Sequence, residues 1–185
     1  MGGTVAGSSY GTALIPELNA TQAIGAMGTG RMGHCISLFS KHRGVVFGGH
    51  SGQSSLELLK QEDDGAWNFS SYDLFAFDES RVSGCITLDD NRTFVQGLDA
   101  DSTGVWAYNE ENAAYVDPAT AFELVDANGA GDAAAYVSGA SLAVLADGDV
   151  WIGGGSRTDN GVLERRARRF NPISLRFEAA EAQPE

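Results

Sequence analysis

The sequence predicts an all-β chain assembled from repeated four-stranded antiparallel units. Three observations predict it. A hairpin-like segment recurs three times at nearly constant spacing, an aromatic residue recurs late in each copy, and many of the 24 glycines in 185 residues fall at the same posts in successive copies. Glycine weakens strands and helices unless a turn or a close approach requires it, so glycines at fixed posts indicate repeated turns.

The repeat starts are Arg31-Met32-Gly33-His34-Cys35-Ile36-Ser37-Leu38, then Arg81-Val82-Ser83-Gly84-Cys85-Ile86-Thr87-Leu88, 50 residues on, then Tyr136-Val137-Ser138-Gly139-Ala140-Ser141-Leu142-Ala143 after a further 55. Each runs through a polar turn (Ser40 to Arg43, Asp89 to Arg92, Asp147-Gly148) into a second apolar run ending in glycine. Those runs are Val45-Val46-Phe47-Gly48-Gly49, Thr93-Phe94-Val95-Gln96-Gly97 and Val150-Trp151-Ile152-Gly153-Gly154-Gly155. Two short β-type runs joined by such a turn form a hairpin, and Asp147-Gly148 is the clearest turn signal of the three. A third and a fourth strand follow, separated by Asp63-Asp64-Gly65, Asp117-Pro118 or Asn171-Pro172, with Trp67, Phe122 and Phe177 as the late aromatics, each 55 residues from the next. The N-terminal stretch fits the second half of one more unit, through Ala13-Leu14-Ile15 and Asn19-Ala20-Thr21 to Ile24.

Units of 45–55 residues with four short strands are the mark of β-propeller blades. The R-x-x-H/G start, the Gly-Gly after the second strand and the Tyr-x-Asp-Pro-x-Thr ending before an aromatic together resemble kelch repeats. The resemblance implies that Gly48-Gly49 and Gly153-Gly154 end second strands, and that Trp67, Phe122 and Phe177 pack between neighbouring blades. The second unit departs from the pattern, with Gln96-Gly97 in place of the glycine pair. The expected organisation is a half blade over 1–27 and kelch-like blades over 28–77, 78–132 and 133–185, about three and a half blades and about fourteen strands. Closed propellers have roughly four to eight blades, so the chain is expected to be an incomplete propeller, part of a larger one completed in cis or in trans, or else an unusual small closure.

Composition limits the partners. Twelve Lys+Arg against 25 Asp+Glu leave a formal charge of −13, which repels a nucleic-acid backbone. No apolar run reaches the length of a membrane span, so no membrane insertion is expected. Met1 to Gly7 has neither a basic nor an apolar segment of the secretory kind. The three N-x-S/T sequons at Asn19, Asn68 and Asn91 nevertheless keep an extracellular location open.

Several constellations recur in catalytic proteins. Gly28 to Gly33 satisfies G-x-G-x-x-G, but the run after it stops at Lys41-His42-Arg43-Gly44, too short for the helix a dinucleotide site needs. His34, His42 and His50 are spaced by eight, which places His34 and His50 at the open end of the first hairpin and His42 at its turn. No third ligand stands at a metal-binding spacing, and no cofactor is expected. Copper radical oxidases of the galactose oxidase type share the kelch-like propeller and use a tyrosine followed directly by histidine. None of Tyr10, Tyr72, Tyr108, Tyr115 and Tyr136 has one. No nucleophile elbow is present. Cys35 and Cys85 occupy equivalent positions, and sheets stacked about 10 Å apart would keep them as free buried thiols. Arg165-Arg166-Ala167-Arg168-Arg169 is read either as a charged edge strand or as a docking stripe for an acidic partner.

The functional expectation is a non-catalytic protein-binding or scaffold module, its surface the loops bearing Arg31, His34, His50, Arg81 and Arg157. Arg31 and Arg81 would either meet carboxylates of a partner or hydrogen-bond between blades. The alternatives are a propeller-based enzyme, such as a copper-dependent oxidase or a hydrolase, and a structural subunit assembling through open blade edges.

Overall fold

A computed structural model describes residues 11–15, 20–28, 31, 33–49, 55–73, 82–107, 122–124, 136–157, 161–164, 166–178 and 181–182. These residues form strands, turns and one short 3-10 turn at Ala100–Ser102, with no α-helix among them. No helix among the described residues is therefore long and apolar enough to cross a membrane.

An N-terminal hairpin pairs β1 (Gly11–Ile15) with β2 (Ala20–Ile24). Sheet I follows as an antiparallel meander of β3 (Cys35–Ser40), β4 (Arg43–Phe47), β5 (Ser55–Gln61) and β6 (Trp67–Asp73). Sheet II repeats it with β7 (Val82–Thr87), β8 (Thr93–Gly97), β9 (Gly104–Trp106) and β10 (Phe122–Leu124). After the two-residue β11 (Val137–Ser138), sheet III orders β12 (Ser141–Val144), β13 (Val150–Gly153), β15 (Arg166–Asn171) and β16 (Arg176–Phe177), while β14 (Ser156–Arg157) pairs β11. A last strand, β17 (Glu181–Ala182), also pairs β15, so the fourth strand of sheet III is split in two. With that split and the β11–β14 pair, the described residues form seventeen strands where about fourteen are expected.

One turn chemistry builds three of the hairpins. In Leu88–Arg92, Leu145–Asp149 and Glu62–Ala66 the first residue exchanges backbone bonds of 2.7–3.0 Å with the fourth and fifth. The fourth residue is Asn91, Gly148 or Gly65, with φ of +65°, +88° and +84°. Only glycine, or an asparagine tolerating the left-handed region, fits there. The third residue is an aspartate whose carboxylate accepts the amide two residues on, at 2.9 Å from Ala66, 3.1 Å from Arg92 and 3.3 Å from Asp149. Asp63-Asp64-Gly65 thus joins third and fourth strands, as its sequence suggests.

The sheets stack face to face in chain order. Between I and II lie Phe39, Val45, Phe47, Leu56, Val82, Val95 and Trp106. Phe39 and Phe47 meet the Trp106 ring edge-on, with centroids 5.3 and 6.0 Å away. Between II and III lie Leu88, Phe94, Val105, Val137, Val150, Ile152 and Phe170, with Phe94 and Phe170 4.5 Å apart. Each side chain so buried contributes about 1.5–3 kcal/mol, and these two layers hold the stack.

The first strands also approach one another edgewise. Ser37 Oγ lies 2.6 Å from Thr87 Oγ1 and 2.8 Å from Thr93 Oγ1, and Thr87 Oγ1 donates to Leu38 O at 3.1 Å. Ser83 Oγ of β7 donates to Val137 O at 2.9 Å, on the segment leading into β12.

This approach corrects the expectation for the cysteines. Cys35 and Cys85 form a disulfide, with Cα atoms 5.7 Å apart. The spacing of about 10 Å typical of stacked sheets does not hold at their first strands, which converge to bonding distance.

Two further expectations change. The arginine run is not an edge strand, because β15 lies between β13 and β16. Arg166 instead forms a fork with Glu164, at 3.0 and 3.1 Å, and Arg169 binds Asp149 at 2.6 Å and also Asp147. The second glycine pair lies one residue later than expected. Gly48 and Gly49 have φ of +72° and +82°, matched by Gly154 and Gly155 at +73° and +88°. Gly153 still pairs within β13, and the Trp151 indole lies against it where a Cβ would stand.

Candidate functional site

Cys35 meets Cys85 and Ser37 meets Thr87, so β3 and β7 run in the same direction and corresponding ends of sheets I and II coincide. One end of the stack carries the tight hairpin turns 40–43, 62–66, 88–92, 145–149 and 171–176. At the other lie the described residues 25–28, 31, 33–34, 48–49 and 97–103. Of the expected binding residues, Arg31 and His34 lie at this end.

Arg31 makes its hydrogen bonds within the chain. Its side chain is 1% exposed, so it is not part of an exposed recognition surface of this chain. Arg31 Nε donates to Glu57 Oε1 at 3.0 Å and Nη1 donates to Gly48 O at 2.8 Å. Glu57, fully buried on β5, accepts the Gly28 amide on its other oxygen at 2.7 Å. One ion pair therefore ties the chain entering β3, the glycine corner leaving β4, and β5 to a single point. Buried charges persist only when paired and hydrogen-bonded in this manner.

His34 sits half-buried just before β3. Its Nδ1 is buried without a hydrogen-bond partner among the described residues. Burial foremost, and then the Arg31 charge, holds its pKa below the ordinary 6.5 and favours the neutral ring. His42 lies at the opposite end, where its Nδ1 is 2.6 Å from Gln61 Oε1. His50 and Arg81 lie outside the described residues. Arg157 is placed on β14 opposite Val137. Among the described residues no group of three or more His, Cys, Asp and Glu is arranged to hold a metal ion.

The late aromatics differ from one another. Phe177 packs between Tyr136, 5.9 Å away, and Phe170, 5.2 Å away. Trp67 is half-buried at the start of β6, where its carbonyl accepts the Gly25 amide at 2.9 Å. Phe122 pairs opposite Trp106 on β9. Between sheets I and II, Trp106, 2% exposed, packs with Phe39 and Phe47.

The loop end also holds a feature that the repeat pattern does not point to. In the β8–β9 connection, Ser102 Oγ donates to Asp99 Oδ1 at 2.5 Å, and Thr103 Oγ1 donates to Asp99 O at 2.7 Å while accepting the Gly97 amide at 3.0 Å. The nearby Tyr136 phenol is pushed up to about 12, by burial first and then by the negative charges of Asp99 and Asp101. In this loop Asp101 is exposed and Asp99 half-buried, while Tyr136 is buried. No protein-family model matches the chain, and no curated protein matches it.

Proposed function

We propose that the chain is a segment of a kelch-like β-propeller that serves as a non-catalytic protein-binding module. Its recognition surface is the loop end, with His34, His50, Arg81, Arg157 and the Asp99–Asp101 loop as the contacting groups. Arg31 acts there as the internal post that fixes the loop carrying His34. The observation that carries this reading is the successive stacking of three antiparallel meanders with converging first strands. Such an arrangement collects connections from different sheets on a rigid support, which is where binding residues concentrate.

The test uses two sets of substitutions in the full chain. One removes loop-end charges (Arg81→Ala with Arg157→Ala), and the other alters the hairpin end (Lys41→Ala with Asp89→Ala). Cross-linked partners recovered from the native source are compared for wild type and both variants. Loss of one specific partner with the loop-end pair alone supports the proposal. Equal loss with both pairs, or stoichiometric copper with oxidase activity, overturns it.

A further inference from the structure

We propose that Asn91 and Asn68 are N-glycan attachment sites, in a chain that matures in an oxidising secretory compartment. Asn91-Arg92-Thr93 and Asn68-Phe69-Ser70 are acceptor tripeptides. Sequence alone leaves such tripeptides ambiguous, and two structural observations favour their use.

The first observation is the disulfide. Cys35–Cys85 joins two different sheets across 50 residues of chain, and bonds of this structural kind persist in oxidising compartments, where N-glycans are also added. Its formation takes two protons and two electrons from the thiols, passed to the disulfide of a thiol oxidoreductase of that compartment.

The second is the placement of the two asparagines. Asn91 stands exposed at the tip of the β7–β8 turn, with its backbone amide bonded to Leu88 O and its side chain in no hydrogen bond among the described residues. Asn68 is exposed on β6, the last strand in the order of sheet I, and its side chain likewise makes no hydrogen bond among the described residues. Both lie toward the hairpin end, away from the loops of the proposed recognition surface. Glycans there leave the loop end clear. Asn19 lies outside the described residues and is not part of the proposal.

In the attachment step, the Asn Nδ2–C1 bond forms as the C1–O bond to a lipid-pyrophosphate oligosaccharide donor breaks. The lipid pyrophosphate departs, and one amide proton passes to the transferring enzyme.

Site-resolved mass spectrometry of the chain isolated from its native source, before and after N-glycosidase digestion under denaturing conditions, tests the proposal. The expected result is a glycan on each of Asn91 and Asn68, converted to aspartate by the digestion, with Cys35 and Cys85 disulfide-linked. Full-length chain secreted from cultured eukaryotic cells should lose one glycan in Asn68→Gln and one in Asn91→Gly, the latter chosen because glycine suits the φ of +65°. An unmodified asparagine in the native chain overturns the assignment of that residue. Free thiols at both cysteines overturn the compartment.

Discussion

Glu57→Gln should be among the most damaging single-atom-scale changes in the molecule. Glu57 is fully buried, its Oε1 is 3.0 Å from Arg31 Nε, and its Oε2 is 2.7 Å from the Gly28 amide. The amide keeps the size of the side chain but removes the charge, and it turns an NH₂ donor toward either the guanidinium or the backbone N–H. Arg31, 1% exposed, then loses the charge of this carboxylate. Breaking one side of a buried pair costs about 3–5 kcal/mol. For a chain of this size each kcal/mol lowers the melting temperature by about 2–4 °C, so a fall of about 6–20 °C is expected. Urea denaturation followed by tryptophan fluorescence, where buried Trp106 reports on the packing of sheets I and II, gives the midpoint. The companion variant Arg31→Met with Glu57→Leu removes both charges and should lose less than the two single changes added together. A loss below about 1 kcal/mol in Glu57→Gln, the level of an exposed pair, would refute the view that this ion pair fixes the loop end.

Four other changes follow from the same geometry. Replacing both cysteines by serine should lower the urea midpoint by the equivalent of about 4 kcal/mol, the chain-entropy value for the 50-residue separation; an unchanged midpoint would show that the bond constrains nothing. His34 has a folded pKa below 6.5, so the unfolded chain binds the extra proton first, and stability should fall as pH drops through 6.5 toward the lower folded value. His34→Gln should flatten that slope in urea midpoints taken from neutral to mildly acid pH. Tyr136 titrates at about 12 when folded against an ordinary 10.0, so its contribution to stability is lost as pH rises above 10.0, and a phenolate absorbance titration should show one late tyrosine. Gly155→Ala demands a φ of +88° from alanine and puts its Cβ 2.8 Å from Ser138 O. It should cost more than about 1 kcal/mol in thermal melts.

The hairpin end was legible from the chain because its structure is local. An aspartate followed by glycine or asparagine satisfies its own turn within five residues, so Asp64-Gly65, Asp90-Asn91 and Asp147-Gly148 could be placed without knowing what lies opposite. The paired runs of β3–β4 and β12–β13 were legible for the same reason. The one-residue error at Gly153 arose where three glycines stand in a row and composition alone does not say which two turn the corner. Pairing with Ser141 keeps the first of them in the strand.

The loop end depends instead on partners far away in sequence. Arg31 reads as a surface cation until its partner is known, and that partner is 26 residues on, inside Leu56-Glu57-Leu58-Leu59. A carboxylate set within an apolar run was the available signal, since such a group must find a counter-charge or remain protonated. The cysteines were misplaced because one sheet spacing was applied to the whole depth of the stack, although strands that converge at one edge must separate at the other. The same convergence bears on function. First strands close enough for a disulfide bring the connections of sheets I and II together, so the proposed loop-end site would draw its residues from several repeats at once. Each repeat read separately shows only a fragment of that surface, and His34 and the Asp99–Asp101 loop become parts of one end of the molecule only when the sheets are stacked.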